Sequence, residues 1–187
     1  MIIIGCNHVN NFIVPDYNIW GSVRRWKQYG HFVNKKSILV VPPEYATFSK
    51  KMIRKVWKGK YETYDTEERL PGLESYKTIY DCFKNVGLVS IFWAYQAGAS
   101  KISIVGMDGY TFYKKKDLKS KLHSQHCTGK GQTDGQTYGI GKKKDNYYRK
   151  RLKGLHRYGK EKYGFEFKIL TPTVFKKYYN SRILDIG

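Results

Sequence analysis

The sequence predicts an α/β fold: a Rossmann-like, open and mostly parallel sheet flanked by helices, forming a single domain over residues 1–187. Three observations predict it. Residues 87–97 form a nearly all-apolar stretch of helical length ended by Gly98, and residues 101–106 (Lys101-Ile102-Ser103-Ile104-Val105-Gly106) follow as a strand. A helix of that kind feeding a buried strand is half of a parallel-sheet crossover. Residues 2–4 and 37–41 are short β-branched runs stopped by Gly5 and by Pro42-Pro43, as strands are. The chain length of 187 residues suits one domain.

The elements follow in order. Residues 7–11 are a polar turn and residues 15–17 are extended. Residues 19–29 read as a helix, with Ile19, Val23 and Trp26 at spacings of four and three and Gly30 just past the end. Residues 45–57 read as a helix with a basic face of Lys50, Lys51, Arg54, Lys55 and Lys58. Short strands are expected near residues 61–64 and 76–80, with a loop at Pro71-Gly72. Residues 111–145 read as a long basic loop, and loops of that length are usually functional. Asp145 is expected to cap a helix over residues 146–163. Tyr148, Leu152 and Leu155 would face inward there, and Arg149, Lys150, Lys153, Arg157 and Lys160 outward. Residues 165–170 read as a strand, and Thr171-Pro172 starts a short helix through residue 179.

Composition narrows the function classes. No apolar run reaches the ~20 residues of a membrane span, and the first residues lack the basic region of a signal peptide. Cys6, Cys82 and Cys127 show no CxxC spacing, so a reducing, cytoplasmic setting is expected. The net charge of +20 is uneven. It is +6 over residues 1–110 (15 Lys/Arg against 9 Asp/Glu) and +14 over residues 111–187 (20 against 6). Such a field attracts phosphates, on a nucleotide or on a polyanion. An A/T-rich genome would also encode much of the lysine, but it does not explain the scarcity of acids in one half.

Several residue groups are candidates for chemistry. Asp108 lies just past the carboxyl end of a strand, where open α/β sheets place ligands, and suits a ribose hydroxyl or the orientation of a neighbour. Gly87 opens the apolar helix after Asn85-Val86, where free N–H groups suit a phosphate. His123 and His126, beside Cys127, are candidate general bases or phosphate clamps in the basic loop. A fourth ligand at metal-binding spacing is not evident, so no metal is expected among them. Lys142-Lys143-Lys144 with Arg149, Lys150, Arg151, Lys153 and Arg157 form a candidate polyanion patch, with Tyr147, Tyr148 and Tyr158 interleaved. No helix-turn-helix, zinc-finger or RNP signature accompanies it.

The block from Asn85 to Tyr110 resembles bacterial lipooligosaccharide sialyltransferases and the related archaeal 6-hydroxymethylpterin pyrophosphokinase domain (a DUF115-type domain). The shared pattern is a Gly opening an apolar helix, here Gly87, then Gly98-Ala99-Ser100-Lys101-Ile102-Ser103-Ile104-Val105-Gly106-Met107-Asp108-Gly109-Tyr110. A similar domain occurs fused to aldolase-like proteins, and Trp20-Gly21-Ser22-Val23-Arg24-Arg25-Trp26-Lys27-Gln28-Tyr29-Gly30 resembles that one. Cys6-Asn7-His8 resembles the Cys-Asn-Gln whose Asn contacts the nucleotide. The family's opening Gly-x-Gly-Pro-Ser turn has no counterpart in this sequence.

The resemblance implies a transferase moving a sugar or phosphoryl group from a nucleotide-activated donor, in the manner of a glycosyltransferase. It implies that Asn7, Asn85, Gly87, Gly106, Asp108 and Tyr110 surround the nucleotide. His123 or His126 would act as base, and Lys142 and Arg149 would sit near phosphate. No cofactor is firmly implied; Mg²⁺ is left open. The rival expectation is a non-catalytic basic domain that holds nucleic acid or another polyanion, of viral origin in keeping with the composition.

Overall fold

The computed structural model describes residues 1–7, 9, 13–21, 26–27, 30–42, 57–65, 70, 83, 85–109, 111–112 and 138–180. The chain divides into two compact units, residues 1–99 and 100–187.

The first unit is built on a parallel sheet of four strands in the order β1 (Ile4–Cys6), β2 (Tyr17–Ile19), β3 (Ile38–Val41) and β4 (Tyr61–Thr63). The registers Gly5↔Asn18, Asn18↔Leu39 and Leu39↔Tyr61 run across it. Side chains alternate between the two faces of a strand. Tyr17 packs tilted against Trp93, ring centroids 4.7 Å apart, and Cys6 meets Ser90, so one face looks at helix α1 (Val86–Gln96). On the other, Leu39 and Val41 join Trp20, Trp26, Val33 and Trp57 in an aromatic core.

α1 is apolar on every side, and residues 88–95 are all buried, as an interior helix requires. It ends in a Schellman motif: the Gly98 N–H donates to Tyr95 O and the Ala99 N–H to Ala94 O, both at 3.0 Å. The helix expected at residues 87–97 is thus found one residue earlier.

The second unit contains a β–α–β arrangement. β5 (Ser103–Ile104) pairs in parallel with β6 (Lys168–Ile169), and α2 (Tyr138–Tyr163) lies between them in sequence. A single turn of 3-10 helix (Lys176–Tyr178) follows. Leu152, Leu155 and Tyr158 of α2, with Ile102, Phe167, Ile169, Phe175 and Tyr178, supply the buried side chains.

Four expectations are corrected. Ile19 ends β2 instead of opening a helix, because its neighbours pair with β1 and β3; only residues 26–27 of the expected helix are described as helical. The strand expected over residues 101–106 shrinks to two residues, and Val105 is 70% exposed. Among the described residues β6 is the partner of β5, so burial on both sides does not extend along it. α2 begins at Tyr138, inside the expected loop 111–145, and Asp145 sits within the helix instead of capping it. Residues 176–178 form a 3-10 turn where a short helix over 171–179 was expected. Of the helix expected at residues 45–57 only Trp57 is described, and it is not helical; the strand expected at 76–80 lies outside the described residues. The strand near residue 61 is present as β4. Among the described residues, no helix is long and apolar enough to cross a membrane.

Candidate functional site

The nominated residues that are described fall into two groups, one in each unit. In the second unit, β5 and β6 run parallel, so their carboxyl ends share one edge. From β5 the chain passes through Gly106 (φ +74°), Met107, Asp108 and Gly109 (φ +93°). From β6 it passes through Thr171, Pro172, Thr173 and Val174. The two segments are tied together by polar contacts. The Gly106 N–H donates to Thr171 Oγ1 at 3.0 Å, and Thr173 Oγ1 donates to Met107 O at 2.7 Å. Thr173 Oγ1 also accepts the Phe175 N–H at 3.1 Å.

The left-handed backbone at Gly109 has a second reason besides conformation. A Cβ there would lie 2.3 Å from Val174 Cγ2, so the turn can press against residues 173–174 only without a side chain.

Val174 bonds to the main chain of Asp108 and to the side chain of Arg149. Its N–H donates to Asp108 O at 2.9 Å, and its carbonyl accepts from Arg149 Nη2 at 3.4 Å. Arg149 also donates to Asn146 Oδ1 at 3.0 Å. Lys142 lies seven residues earlier on α2, on the same side as Arg149, and both are exposed. Asp108 is half-buried. Asp108, Thr171, Thr173 and, through the Val174 carbonyl, Arg149 thus meet at the carboxyl edge of a parallel strand pair. That is where open α/β sheets bind ligands.

Asp145 holds the next stretch of chain. It is 1% exposed, and its Oδ2 accepts from the Thr111 N–H at 2.8 Å and from Thr111 Oγ1 at 2.5 Å. The loop leaving Gly109 is thereby fastened to α2.

In the first unit, Asn7 follows β1 with φ 51° and its N–H donates to Ile19 O at 3.0 Å. The neighbouring Cys6 Sγ lies 2.9 Å from Ser90 Oγ, which donates to Val86 O at 2.8 Å. This brings the end of β1 to the first turns of α1, near Asn85 and Gly87. Burial pushes the Cys6 thiol above its ordinary range, while the contact with Ser90 opposes the shift. The Asn85 side chain caps α1: Oδ1 accepts from the Gly87 N–H at 2.9 Å and the Leu88 N–H at 3.2 Å. A phosphate at this terminus would have to displace that oxygen to reach the Gly87 N–H.

Tyr110, His123, His126 and Cys127 lie outside the described residues. Among the described residues, no group of three His, Cys, Asp or Glu is close enough to hold a metal ion. Arg151, expected on the basic patch, is buried instead, its guanidinium 4.2 Å from the Tyr147 ring centroid. Thr171, Thr173 and Asp145 were not nominated as site residues. Thr171 and Thr173 read as the start of a helix, and Asp145 as a cap; their signal was two hydroxyls flanking Pro172 directly after a strand.

No family model matches the sequence, and neither a curated protein nor a solved structure does.

Proposed function

We propose that the chain is a transferase of Rossmann-like type that takes a sugar or phosphoryl group from a nucleotide-activated donor. The observation that supports the reading is at Val174, whose N–H donates to the main-chain oxygen of Asp108 and whose carbonyl accepts from Arg149, at the carboxyl edge of β5 and β6. Asp108 accepts a ribose hydroxyl. Arg149 and Lys142 meet the phosphates, where charge-assisted hydrogen bonds are strongest. As the acceptor oxygen bonds to the transferred group, the bond to the donor phosphate breaks, and the same cations stabilise the charge left on the nucleotide. His123 or His126 takes the acceptor's proton. Gly106 and Tyr110 complete the proposed nucleotide contacts at this edge.

Equilibrium binding of nucleoside diphosphates and monophosphates tests the reading. Replacing Arg149 by Ala removes charge-assisted contacts worth about 1.5–3 kcal/mol, so affinity should fall roughly 10- to 100-fold. Asp108→Ala should weaken nucleosides and nucleotides alike, because it meets the ribose. Unchanged affinity in both variants would overturn the assignment.

A further inference from the structure

The outer face of α2 has a different character from the edge just described. Lys150, Lys153, Arg157 and Lys160 are all exposed, and they follow one another at spacings of three, four and three. At 3.6 residues per turn, the exposed residues from Lys142 to Lys160 fall within an arc of roughly 120° and extend over ~27 Å of helix axis. Residues at these spacings are neighbours ~5–6 Å apart, and like charges so placed destabilise a helix. The acids of α2 are Asp145, which is buried against Thr111, and Glu161, whose Oε1 lies 4.0 Å from Arg157 Nε. Lys160 Nζ lies 3.9 Å from Glu166 Oε1, beyond the end of α2, so the ridge of cations has two acids beside it, both at its C-terminal end.

The chemistry of the face selects the partner. A helix that lies in a lipid interface needs an exposed apolar side. The apolar side of α2, with Leu152, Leu155 and Tyr158, is buried in its own unit. A protein partner is usually gripped by aromatic or aliphatic anchors at the centre of the patch, and the exposed residues here are all polar. What remains is a rigid row of cations, without apolar anchors, that suits a regularly charged chain. Over ~27 Å one strand of a duplex carries roughly eight phosphates.

We propose that this ridge of α2 is a docking surface for the phosphate backbone of nucleic acid, without base readout. The ridge shares Lys142 and Arg149 with the proposed nucleotide site at its N-terminal end, whereas Lys150, Lys153, Arg157 and Lys160 have no part in that reading.

The test is fluorescence anisotropy of the full chain with a labelled 20-base-pair DNA duplex of arbitrary sequence, from about 50 to 200 mM salt. The affinity should fall steeply with salt. The variant K153Q/R157Q/K160Q removes three phosphate contacts, so the slope of log K against log salt should flatten by about 2.7, at ~0.9 per phosphate. Affinity at low salt should drop on the order of tenfold or more. Glu161→Lys lengthens the ridge and should tighten binding, which keeps the proposal testable if the triple variant folds poorly. A second duplex of unrelated sequence should bind equally well. No binding to either duplex, a slope unchanged in the triple variant, or binding to phosphatidylserine vesicles in place of DNA would each overturn the proposal.

Discussion

Asp145→Ala probes how the second unit is assembled. The carboxylate is 1% exposed and accepts two hydrogen bonds from Thr111, one from the backbone N–H at 2.8 Å and one from the hydroxyl at 2.5 Å. A hydrogen bond to a charged group contributes about 1.5–3 kcal/mol, and stranding a buried donor costs about 1–3 kcal/mol more. Removing a buried charge recovers some desolvation, and Ala favours the helix by about 0.5–0.7 kcal/mol. The net expectation is a loss of about 2–4 kcal/mol. For a chain of this length each kcal/mol corresponds to roughly 2–4 °C, so Tm should fall by about 5–15 °C. Thr111→Val keeps the N–H and loses only the hydroxyl, so it should cost about 1–1.5 kcal/mol. The double variant should be less destabilised than the sum of the two by at least about 0.5 kcal/mol, because the residues touch. Urea unfolding of all four proteins measures the cycle. A loss under about 0.5 kcal/mol for Asp145→Ala, or strict additivity, would refute the reasoning.

Three further outcomes are expected. Gly109→Ala should destabilise by more than Gly106→Ala, because both have positive φ but only Gly109 adds a Cβ contact of 2.3 Å. Gly106→Ala should cost about 1–2 kcal/mol from conformation alone, and equal Tm losses in the two would contradict the close approach. Asn18 is 0% exposed, and among the described residues neither of its side-chain polar atoms has a hydrogen-bond partner. Asn18→Leu should therefore raise stability by about 1 kcal/mol in urea unfolding, and a loss of that size would mean the amide is engaged. Burial pushes the Cys6 thiol and the Tyr178 hydroxyl above their ordinary values. Acids held neutral by the fold ionise more readily once unfolded, so their contribution is complete below the ordinary thiol value of about 8.5 and is lost as pH rises beyond it. Urea midpoints should be lower at about pH 10 than at about pH 7.5, and Cys6→Ala should reduce that difference; no reduction would remove Cys6 from the explanation.

Elements fixed by local pattern were legible in the sequence. α1 is apolar throughout and ends at Gly98, and its bounds were read to within one residue. The outward cations of α2 and its inward Leu152 and Leu155 followed from 3.6-residue periodicity. Elements fixed by distant partners were not legible. β2 is three residues long with Asn18 at its centre, and Ile19 happens to stand in helical register with Val23 and Trp26. Only pairing with β1 and β3 reveals it as a strand. The first turns of α2 carry Gly139, Gly141 and a lysine run, which favour a loop locally, whereas Asp145 bonds to Thr111, 34 positions away. In the candidate site, Asp108 and Arg149 were visible by residue type and position. Their junction through Val174 depends on contacts 25 and more residues apart in sequence, which no local motif reports.

The central claim is that the carboxyl edge of β5 and β6 receives a nucleotide. A thermal-shift panel of CMP, UDP, GDP, ADP and their sugar conjugates, with and without Mg²⁺ at moderate salt, tests it most directly. Saturable stabilisation by one nucleotide class, about 2.7 kcal/mol at a hundredfold excess over its dissociation constant, and lost in Arg149→Ala, is the predicted result. A flat response to every nucleotide, or stabilisation that survives in both Asp108→Ala and Arg149→Ala, would contradict it.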